Sequence, residues 1–226
     1  DFGMKTMAGI NDHLVTFVTT DYAGITRGRS VTAASYHPGR KRSLGWVPAN
    51  MSLTPFDLIA DPNPWGSTGD LRLLPDDNAR YTLFPEGSKT PLDIVMSDIA
   101  ELDGMPWICC PRSFLKQALA DLELEAGVTL SASFEHEFQI LDAAWRGAPA
   151  FSLQALRRAD PFGPLLMSML GDAGMEPEVF IAEYGRDQYE ITLAPSSGLV
   201  AADRSVVLRE AVREWSRNMG WHCAFA

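Results

Sequence analysis

The sequence predicts an α+β fold in which a sheet-rich N-terminal part is followed by a part that mixes strands and helices. Residues 13–108 contain short β-rich segments separated by turn residues, a pattern typical of a small sheet. Pro111 then opens the first apolar repeat with helical spacing, and a longer repeat runs from about Ala201 to Met219. We therefore expect two domains, residues 13–108 and 109–226.

The N-terminal domain is predicted to contain five strands. A hairpin turns at Tyr22-Ala23-Gly24, and a second turn is expected at Pro75-Asp76-Asp77-Asn78. Residues 47–70 are crowded with Pro, Gly, Asn and Asp, so we expect a long loop there, and long loops in compact domains are usually functional. The predicted strands are Leu14 to Thr20, Ile25 to Val31, Leu71 to Leu74, Tyr81 to Phe84 and Leu92 to Met96.

The C-terminal domain is predicted to begin with a helix at Pro111, whose apolar side chains share one face. A strand from Thr129 to Leu141, a loop rich in Ala, Gly and Pro, and a short helix capped by Asp160 follow. Two strands flank a turn at residues 184–187, and a strand-like apolar run ends the chain at residues 221–226. The apolar face of the first helix comprises Phe114, Leu115, Ala118, Leu119 and Leu122.

Composition argues against two kinds of partner. The formal net charge of -10 disfavours a nucleic-acid backbone, because such binding depends on clustered Lys and Arg. No apolar run approaches the roughly 20 residues of a membrane helix, and the N-terminus has no signal-peptide layout. We expect a cytoplasmic protein that binds neither nucleic acid nor membrane. Its three cysteines have no metal-ligand spacing, and we expect them to be reduced.

One strand carries two carboxylates on a single face. Side chains alternate along the segment from Leu130 to Ile140, so Glu135 and Glu137 share one face while the apolar residues share the other. Such a pair is neutralised either by solvent or by a hard divalent cation such as Mg²⁺ or Mn²⁺. His136 lies between the two acids on the apolar face, so we expect it to be packed or hydrogen-bonded rather than a ligand.

A second acidic pair flanks the predicted hairpin at residues 184–187. The turn brings Glu183 and Glu190 together, and Gln188 points to the same face as Glu190. A sheet that contains both acidic segments can gather all four glutamates, although a surface hairpin explains the second pair equally well. We assign no catalytic residue, because the sequence contains neither a nucleophile–histidine arrangement nor a glycine-rich phosphate loop.

The order of these segments resembles the glutamine synthetase family. That family has an N-terminal β-grasp domain followed by a catalytic domain, built on a curved antiparallel sheet with flanking helices. The similar segments are Phe17 to Gly28 (the opening hairpin), Gly69 to Asp76 (an acidic strand), Cys110 to Ser113 (the entry between domains), Phe134 to Phe138 (the acid-x-acid metal strand) and Glu183 to Glu190 (the E-x-x-P-G-Q-x-E hairpin).

The resemblance implies a site and a reaction. Glu135, Glu137, Glu183 and Glu190 would ligate Mg²⁺ or Mn²⁺, and Glu178 would lie near the nucleotide. The family transfers a phosphoryl group from ATP to the γ-carboxylate of glutamate, and ammonia or another amine then attacks the γ-glutamyl phosphate. Family members assemble as homo-oligomeric rings in which the N-terminal domain of one subunit closes the next subunit's site. We therefore expect the loop at residues 47–70 to lie at a subunit interface.

Three departures from the family pattern qualify this expectation. Pro48 to Ser52 replaces an Asp-Gly-Ser-Ser turn whose aspartate binds ammonium, so we expect a different amine, such as methylamine or a polyamine. Arg186-Asp187 replaces the usual Pro-Gly of the hairpin. The sequence stops before the family's metal-binding histidine and its ATP-binding arginines. We therefore expect the chain to be the N-terminal portion of something longer and to be inactive by itself.

Two other hypotheses remain open. In the first, the chain is a non-catalytic relative that keeps the metal carboxylates and acts as a metal-binding or assembly module. In the second, it is an unrelated acidic β-rich domain that binds a cation. The last hypothesis predicts that replacing Glu190 affects metal binding no more than replacing a surface glutamate elsewhere.

Overall fold

The computed structural model describes residues 13–40, 42–85, 87–141 and 148–225. Its strands are β1 Leu14–Thr20, β2 Thr26–Thr32, β3 Leu44–Trp46, β4 Leu71–Leu83, β5 Leu92–Ala100, β6 Ser131–Ala132, β7 Glu135–Ile140, β8 Pro177–Ala182, β9 Gln188–Leu193, β10 Ser196–Ser197 and β11 Cys223–Phe225. Its α-helices are α1 Pro111–Ala126, α2 Leu153–Arg158, α3 Phe162–Asp172 and α4 Gly198–Asn218. The α+β class is confirmed. Within the described ranges no helix is long and apolar enough to cross a membrane.

The N-terminal sheet has the strand order β2-β1-β5-β4-β3, with β1 and β5 parallel and the other pairs antiparallel. The predicted β1–β2 hairpin is present, and Asp21 organises its turn. One carboxylate oxygen of Asp21 accepts the backbone N–H groups of Ala23 and Ile25, at 3.0 and 2.8 Å, and the other accepts Arg27 Nε. This side-chain-to-backbone bonding is what makes aspartate effective in tight turns.

The prediction of two short strands around a turn at residues 75–78 was wrong. Leu71–Leu83 is one strand, and it pairs with β5 on both sides of an irregularity between Pro75 and Arg80. The turn-forming residues are accommodated as a bulge because β5, at Leu92–Ala100, is long enough to pair with both halves of β4. The bulge sends Asp76 and Asp77 to different partners, Arg112 and Tyr36 respectively.

The second half of the chain contains a four-stranded antiparallel sheet in the order β11-β7-β9-β8. The predicted strand from Thr129 to Leu141 is interrupted: β6 pairs with β10 in a separate two-stranded sheet, and β7 begins at Glu135. At the interruption, Ser133 Oγ donates to the carbonyl of Leu193 at 2.5 Å. The interruption divides the predicted apolar face, since Leu130 and Phe134 are about half exposed, at 47% and 46%, whereas Phe138 and Ile140 are buried.

The long C-terminal helix agrees with its prediction, although it begins earlier, at Gly198. Its buried stripe includes Val207, Leu208, Ala211, Val212 and Trp215. The short α3 begins at Phe162 with Pro161, not Asp160, at the N-cap, and the Asp160 carboxylate pairs with Arg157 at 2.7 Å. Helix α2 was not predicted. Part of the predicted loop after Leu141, residues 142–147, lies outside the described residues, as does residue 226.

Two hydrophobic cores lie on opposite faces of the N-terminal sheet. One includes Phe17, Trp46 and Ile99, together with Trp107. The other begins on the opposite face, with residues such as Tyr81, and continues into the second sheet and into α3 and α4. The predicted domain boundary at residues 108 and 109 lies in the turn before α1, and it remains a prediction. The three cysteines are free, as expected.

Helix α1 is only partly covered along its predicted apolar face. Phe114 is 72% exposed and Leu122 is 36% exposed, whereas Leu115 and Leu119 are half-buried. The buried residue of α1 is Arg112. Its Nε and Nη2 atoms donate to the two carboxylate oxygens of Asp203 on α4, at 2.9 and 2.8 Å. A charged anchor of this kind needs fewer apolar contacts, because the bidentate geometry fixes the orientation of the helix.

Arg112 also bonds to both central strands of the N-terminal sheet. Nη2 donates to Asp76 on β4 at 2.7 Å, and Nη1 donates to Asp98 on β5 at 2.9 Å. Burial alone would raise the pKa of the Asp76 carboxyl, but the hydrogen bond and charge of Arg112 lower that pKa overall. One guanidinium therefore joins α1, α4, β4 and β5.

We expect Arg112→Met to lower the free energy of unfolding by about 3–5 kcal/mol, because it leaves Asp203 buried without its cation. The Asp203 side chain is only 4% exposed. Urea unfolding followed by circular dichroism measures the change. Arg157→Met is the control, since that guanidinium is 66% exposed and pairs with Asp160 at the surface. Equal, small changes for the two variants would contradict the assigned role of Arg112.

Candidate metal centre

The candidate site is the open face of the β7-β9-β8 part of the second sheet. Glu137 on β7 lies directly opposite Glu190 on β9, and Ile181 on β8 lies opposite Glu190 on the other side. Glu183 follows β8, and its backbone N–H donates to the carbonyl of Gln188 at 2.9 Å, which extends the ladder by one pair. Because side chains alternate, Glu137, Glu183, Gln188 and Glu190 share this face.

Three of the four predicted glutamates converge on one point. Glu137, Glu183 and Glu190 each offer one carboxylate oxygen, and these oxygens lie within 4.8 Å of one another. Hard divalent cations bind carboxylate oxygens at about 2.0–2.6 Å, so oxygens at this separation can share a single ion. The donor set therefore fits Mg²⁺ or Mn²⁺. Glu137 is exposed, Glu183 is half-buried and Glu190 is 8% exposed, so the ion would sit at the base of an open surface.

Glu135 lies on the same face but outside this group of three. It is two residue pairs further along β7, opposite Thr192, and it is exposed. Its charge still acts on the cluster, because it contributes to the raised pKa of Glu190. Glu135 lines an open cleft beside the cluster together with Glu178 and Thr192. Glu135 on β7 and Glu178 on β8 thus lie on the two sides of β9 near Thr192, and both line this cleft.

Glu178 reaches the cleft because of a bulge in β8. Its neighbours on β8, Phe180 and Ala182, lie opposite the buried residues Ile191 and Tyr189, so strict alternation would put Glu178 on the core face. The register shifts between Pro177 and Val179, which leaves Glu178 as the extra residue of the bulge. Its side chain is exposed and lines the cleft.

The carboxylates of the cluster repel one another. Burial raises the pKa of the Glu190 carboxyl, and the neighbouring carboxylates of Glu135, Glu183 and Glu137 raise it further. Like charges this close repel one another unless a cation or a proton neutralises them. The arrangement is therefore held against its own charge in the absence of a cation.

Gln188 bridges the hairpin turn and the cluster, a role that the sequence did not reveal. Its Nε2 atom donates to Glu137 Oε2 at 2.5 Å, and its Oε1 atom accepts the backbone N–H of Gly185 at 2.8 Å. Asp187 has φ +52°, in the left-handed region. It occupies the place of the glycine in the usual Pro-Gly turn, and aspartate is among the few other residues that tolerate this conformation.

His136 is packed on the core side of β7, as strand alternation predicted. It is 7% exposed, and its Nε2 atom lies 2.9 Å from Ser205 Oγ on α4. Burial lowers the pKa of His136, which favours the neutral ring. His136 therefore links the metal-face strand to α4 and does not point toward the carboxylates.

The segment that replaces the family's Asp-Gly-Ser-Ser turn forms a short 3-10 helix, Pro48–Ser52. Pro48, Ala49 and Met51 are buried in it, and Asn50 is half-buried. Residues 53–70 form an irregular loop, in agreement with the predicted long loop, and they expose Phe56 at 83% and Leu58 at 66%.

We expect Glu190→Gln to raise the thermal midpoint of the chain in chelator by about 2–4 °C. Like charges directly opposite each other on a sheet cost up to about 1 kcal/mol, which corresponds to a shift of this size in a chain of this length. Differential scanning calorimetry measures it. Glu101→Gln, at an exposed glutamate, is the control and should change little. A lower thermal midpoint for Glu190→Gln would mean that carboxylate repulsion at this position does not destabilise the chain.

Comparison with known proteins gives a consistent result along the chain. The model of the glutamine synthetase N-terminal domain matches residues 7–107, and the model of the glutamine synthetase catalytic domain matches residues 108–226. Among solved structures, one described as a novel glutamine synthase homolog is 50% identical, with a TM-score of 0.87, over 95% of this chain and 51% of that one. A GmaS/ADP complex, 21% identical, shares the fold with a TM-score of 0.78 over 95% of this chain and 49% of its own.

Curated relatives are more distant in sequence. A gamma-glutamylpolyamine synthetase from Streptomyces coelicolor is 27% identical over 232 residues, which cover 97% of this chain and 48% of that protein. A glutamate–isopropylamine ligase from a Pseudomonas species is 26% identical over 171 residues, covering 69% of this chain and 36% of its own length. The chain thus spans about half the length, or less, of these relatives.

Proposed function

The chain belongs to the glutamine synthetase family of ligases, and from that premise we propose that it forms the N-terminal portion of an enzyme that joins glutamate to ammonia or a small amine at the expense of ATP. The observation that carries this proposal is the convergence of Glu137, Glu183 and Glu190 on one face of the sheet. Three carboxylates within 4.8 Å of one another repel, and a shared divalent cation would offset that repulsion.

The proposed reaction has two steps. A carboxylate oxygen of the glutamate side chain attacks the γ-phosphorus of ATP, which releases ADP and forms γ-glutamyl phosphate. The amine nitrogen then attacks the acyl carbon, phosphate leaves, and the nitrogen loses a proton to give the γ-glutamyl amide. A bound Mg²⁺ or Mn²⁺ supplies positive charge that neutralises phosphate oxygens.

The position of each side chain suggests a separate role in this reaction. Glu137, Glu183 and Glu190 would hold one cation, and their fixed spacing would orient the groups that bind to it. Glu135, beside them, would contribute to a second cation position nearer the cleft. Glu178 lines that cleft and would lie near the nucleotide. These roles follow from the placement of the side chains together with the resemblance of their motifs to the family's.

An amine other than ammonia is the better candidate for the acceptor. No acidic side chain occurs in Pro48–Ser52, where the family's ammonium-binding aspartate would lie, and three of those five residues are buried. The names of two relatives describe ligation to a polyamine and to isopropylamine. A larger amine depends less on that aspartate for binding if apolar contacts hold its carbon chain.

We also propose that the protein works as a homo-oligomer in which the 47–70 loop contacts a neighbouring subunit. The loop exposes Phe56, Leu58 and Ile59 at 83%, 66% and 47%, close to one another in sequence. Exposed apolar side chains that cluster in this way are typical of interaction surfaces.

The decisive test is an ATP-dependent coupling assay on the gene product that carries this sequence. Glutamate is supplied with ammonia, methylamine, ethanolamine or a polyamine, together with Mg²⁺ or Mn²⁺, and phosphate release is measured. We expect turnover with one of the amines and a fall of at least about 100-fold in Glu137→Ala, because losing a metal ligand removes several kcal/mol of transition-state stabilisation. Glu101→Ala should keep its activity. A folded oligomer without turnover on any amine would favour the non-catalytic module.

Direct metal binding is the second test. We expect this chain to bind Mn²⁺, as followed by the loss of the free-ion signal in electron paramagnetic resonance, and Glu190→Ala to weaken that binding by tenfold or more. Glu101→Ala should bind like the wild type. Equal affinities for the two variants would support the hypothesis of an unrelated acidic domain instead.

A further inference from the structure

We propose that Gln188 is a positioning residue that sets the orientation of the Glu137 carboxylate, and so the cation affinity of the cluster. This inference rests on the proposed metal site and concerns how that site is assembled. The side-chain amide of Gln188 makes two bonds, to Glu137 Oε2 at 2.5 Å and to the N–H of Gly185 at 2.8 Å. It thus connects a ligand on β7 with the turn between β8 and β9.

The two bonds leave the amide only one workable orientation. The Glu137 carboxylate can only accept and the Gly185 N–H can only donate, so the NH₂ group must face Glu137 and the oxygen must face Gly185. A flipped amide would place oxygen against oxygen at one end and N–H against N–H at the other. The turn therefore fixes the amide, and the amide fixes Glu137.

Glu137 needs such a partner because its surroundings are repulsive. It is exposed, and it lies directly across the strand pair from the carboxylate of Glu190. Without a donor, a free glutamate would turn into solvent and away from the other two ligands. A lysine or arginine would hold it too, but it would place a positive charge where the cation binds. A neutral amide holds the carboxylate and leaves its second oxygen and its charge available.

Gly185 makes this arrangement possible. A Cβ placed on Gly185 would fall well under 3.0 Å from Gln188 Oε1, closer than real Cβ atoms approach. Any other residue at position 185 would thus displace the amide that bonds to Glu137. This gives a second way to disturb the same contact without touching Gln188 or a ligand.

The sheet also provides a matched control. Gln139 lies directly opposite Gln188 in the β7–β9 pair, and its Nε2 atom donates to the carbonyl of Arg186 in the same turn at 2.8 Å. It is exposed, and it bonds to the hairpin backbone rather than to a carboxylate. Gln139→Met and Gln188→Met therefore each remove one tie to the turn, but only the second releases Glu137.

The experiment measures Mn²⁺ affinity by electron paramagnetic resonance, and thermal stability in chelator, for this chain and its variants. We expect Gln188→Met to weaken Mn²⁺ binding by about 10-fold or more, as for residues that orient metal ligands. Gln139→Met should bind like the wild type, with a thermal midpoint similar to that of Gln188→Met. Gly185→Ala should also weaken Mn²⁺ binding, as Gln188→Met does.

A double-variant cycle separates positioning from general support of the fold. In a Glu137→Ala background, Gln188→Met should cause no further loss of affinity, because its target is absent. A further loss of similar size, or equal losses for Gln139→Met and Gln188→Met, would overturn the inference. So would wild-type affinity in both Gln188→Met and Gly185→Ala, and in that case the metal site itself would stand. A wild-type chain that does not bind Mn²⁺ would overturn the proposed function instead.

Discussion

The bonds of Arg112 join elements that are far apart in the sequence. Its guanidinium meets Asp76 on β4, Asp98 on β5 and Asp203 on α4, and Lys116 adds a second cation to Asp98 at 2.5 Å. Breaking such a buried network costs far more than losing a surface ion pair. Helix α4, held in this way, packs on the core side of the sheet that carries the glutamates. Its position fixes β7 through apolar contacts and through Ser205, which bonds to His136.

The two faces of the second sheet have opposite effects on its stability. On the inner face, Phe138, Tyr189 and Ile191 are at most 2% exposed, and their burial stabilises the strands. On the outer face, carboxylates are forced together and raise the pKa of Glu190. The inner face makes the outer face possible, because strands held by a packed core cannot separate to relieve the repulsion. A site that conflicts locally with stability, and is supported from elsewhere, is typical of functional positions.

Bulges place individual acids where regular strands would not. In β4, the irregularity after Pro75 lets Asp76 accept a hydrogen bond from Arg112 and Asp77 accept one from Tyr36. In β8, the extra residue Glu178 escapes the core face and lines the cleft beside Glu135. The β4 irregularity holds three extra residues and the β8 bulge one, and in both strands pairing resumes beyond the irregularity in a shifted register.

Features that depend on local periodicity and turn chemistry could be predicted from the residues alone. Alternation put Glu135 and Glu137 on one face and His136 on the other, and helical spacing located α4. The motifs identified the family. Tertiary structure decided that β4 is continuous, that α1 docks through Arg112, that three glutamates converge while Glu135 stands aside, and that Gln188 holds Glu137. Each of these depends on pairing between residues distant in the chain, because register and bulges set where a side chain meets its partner.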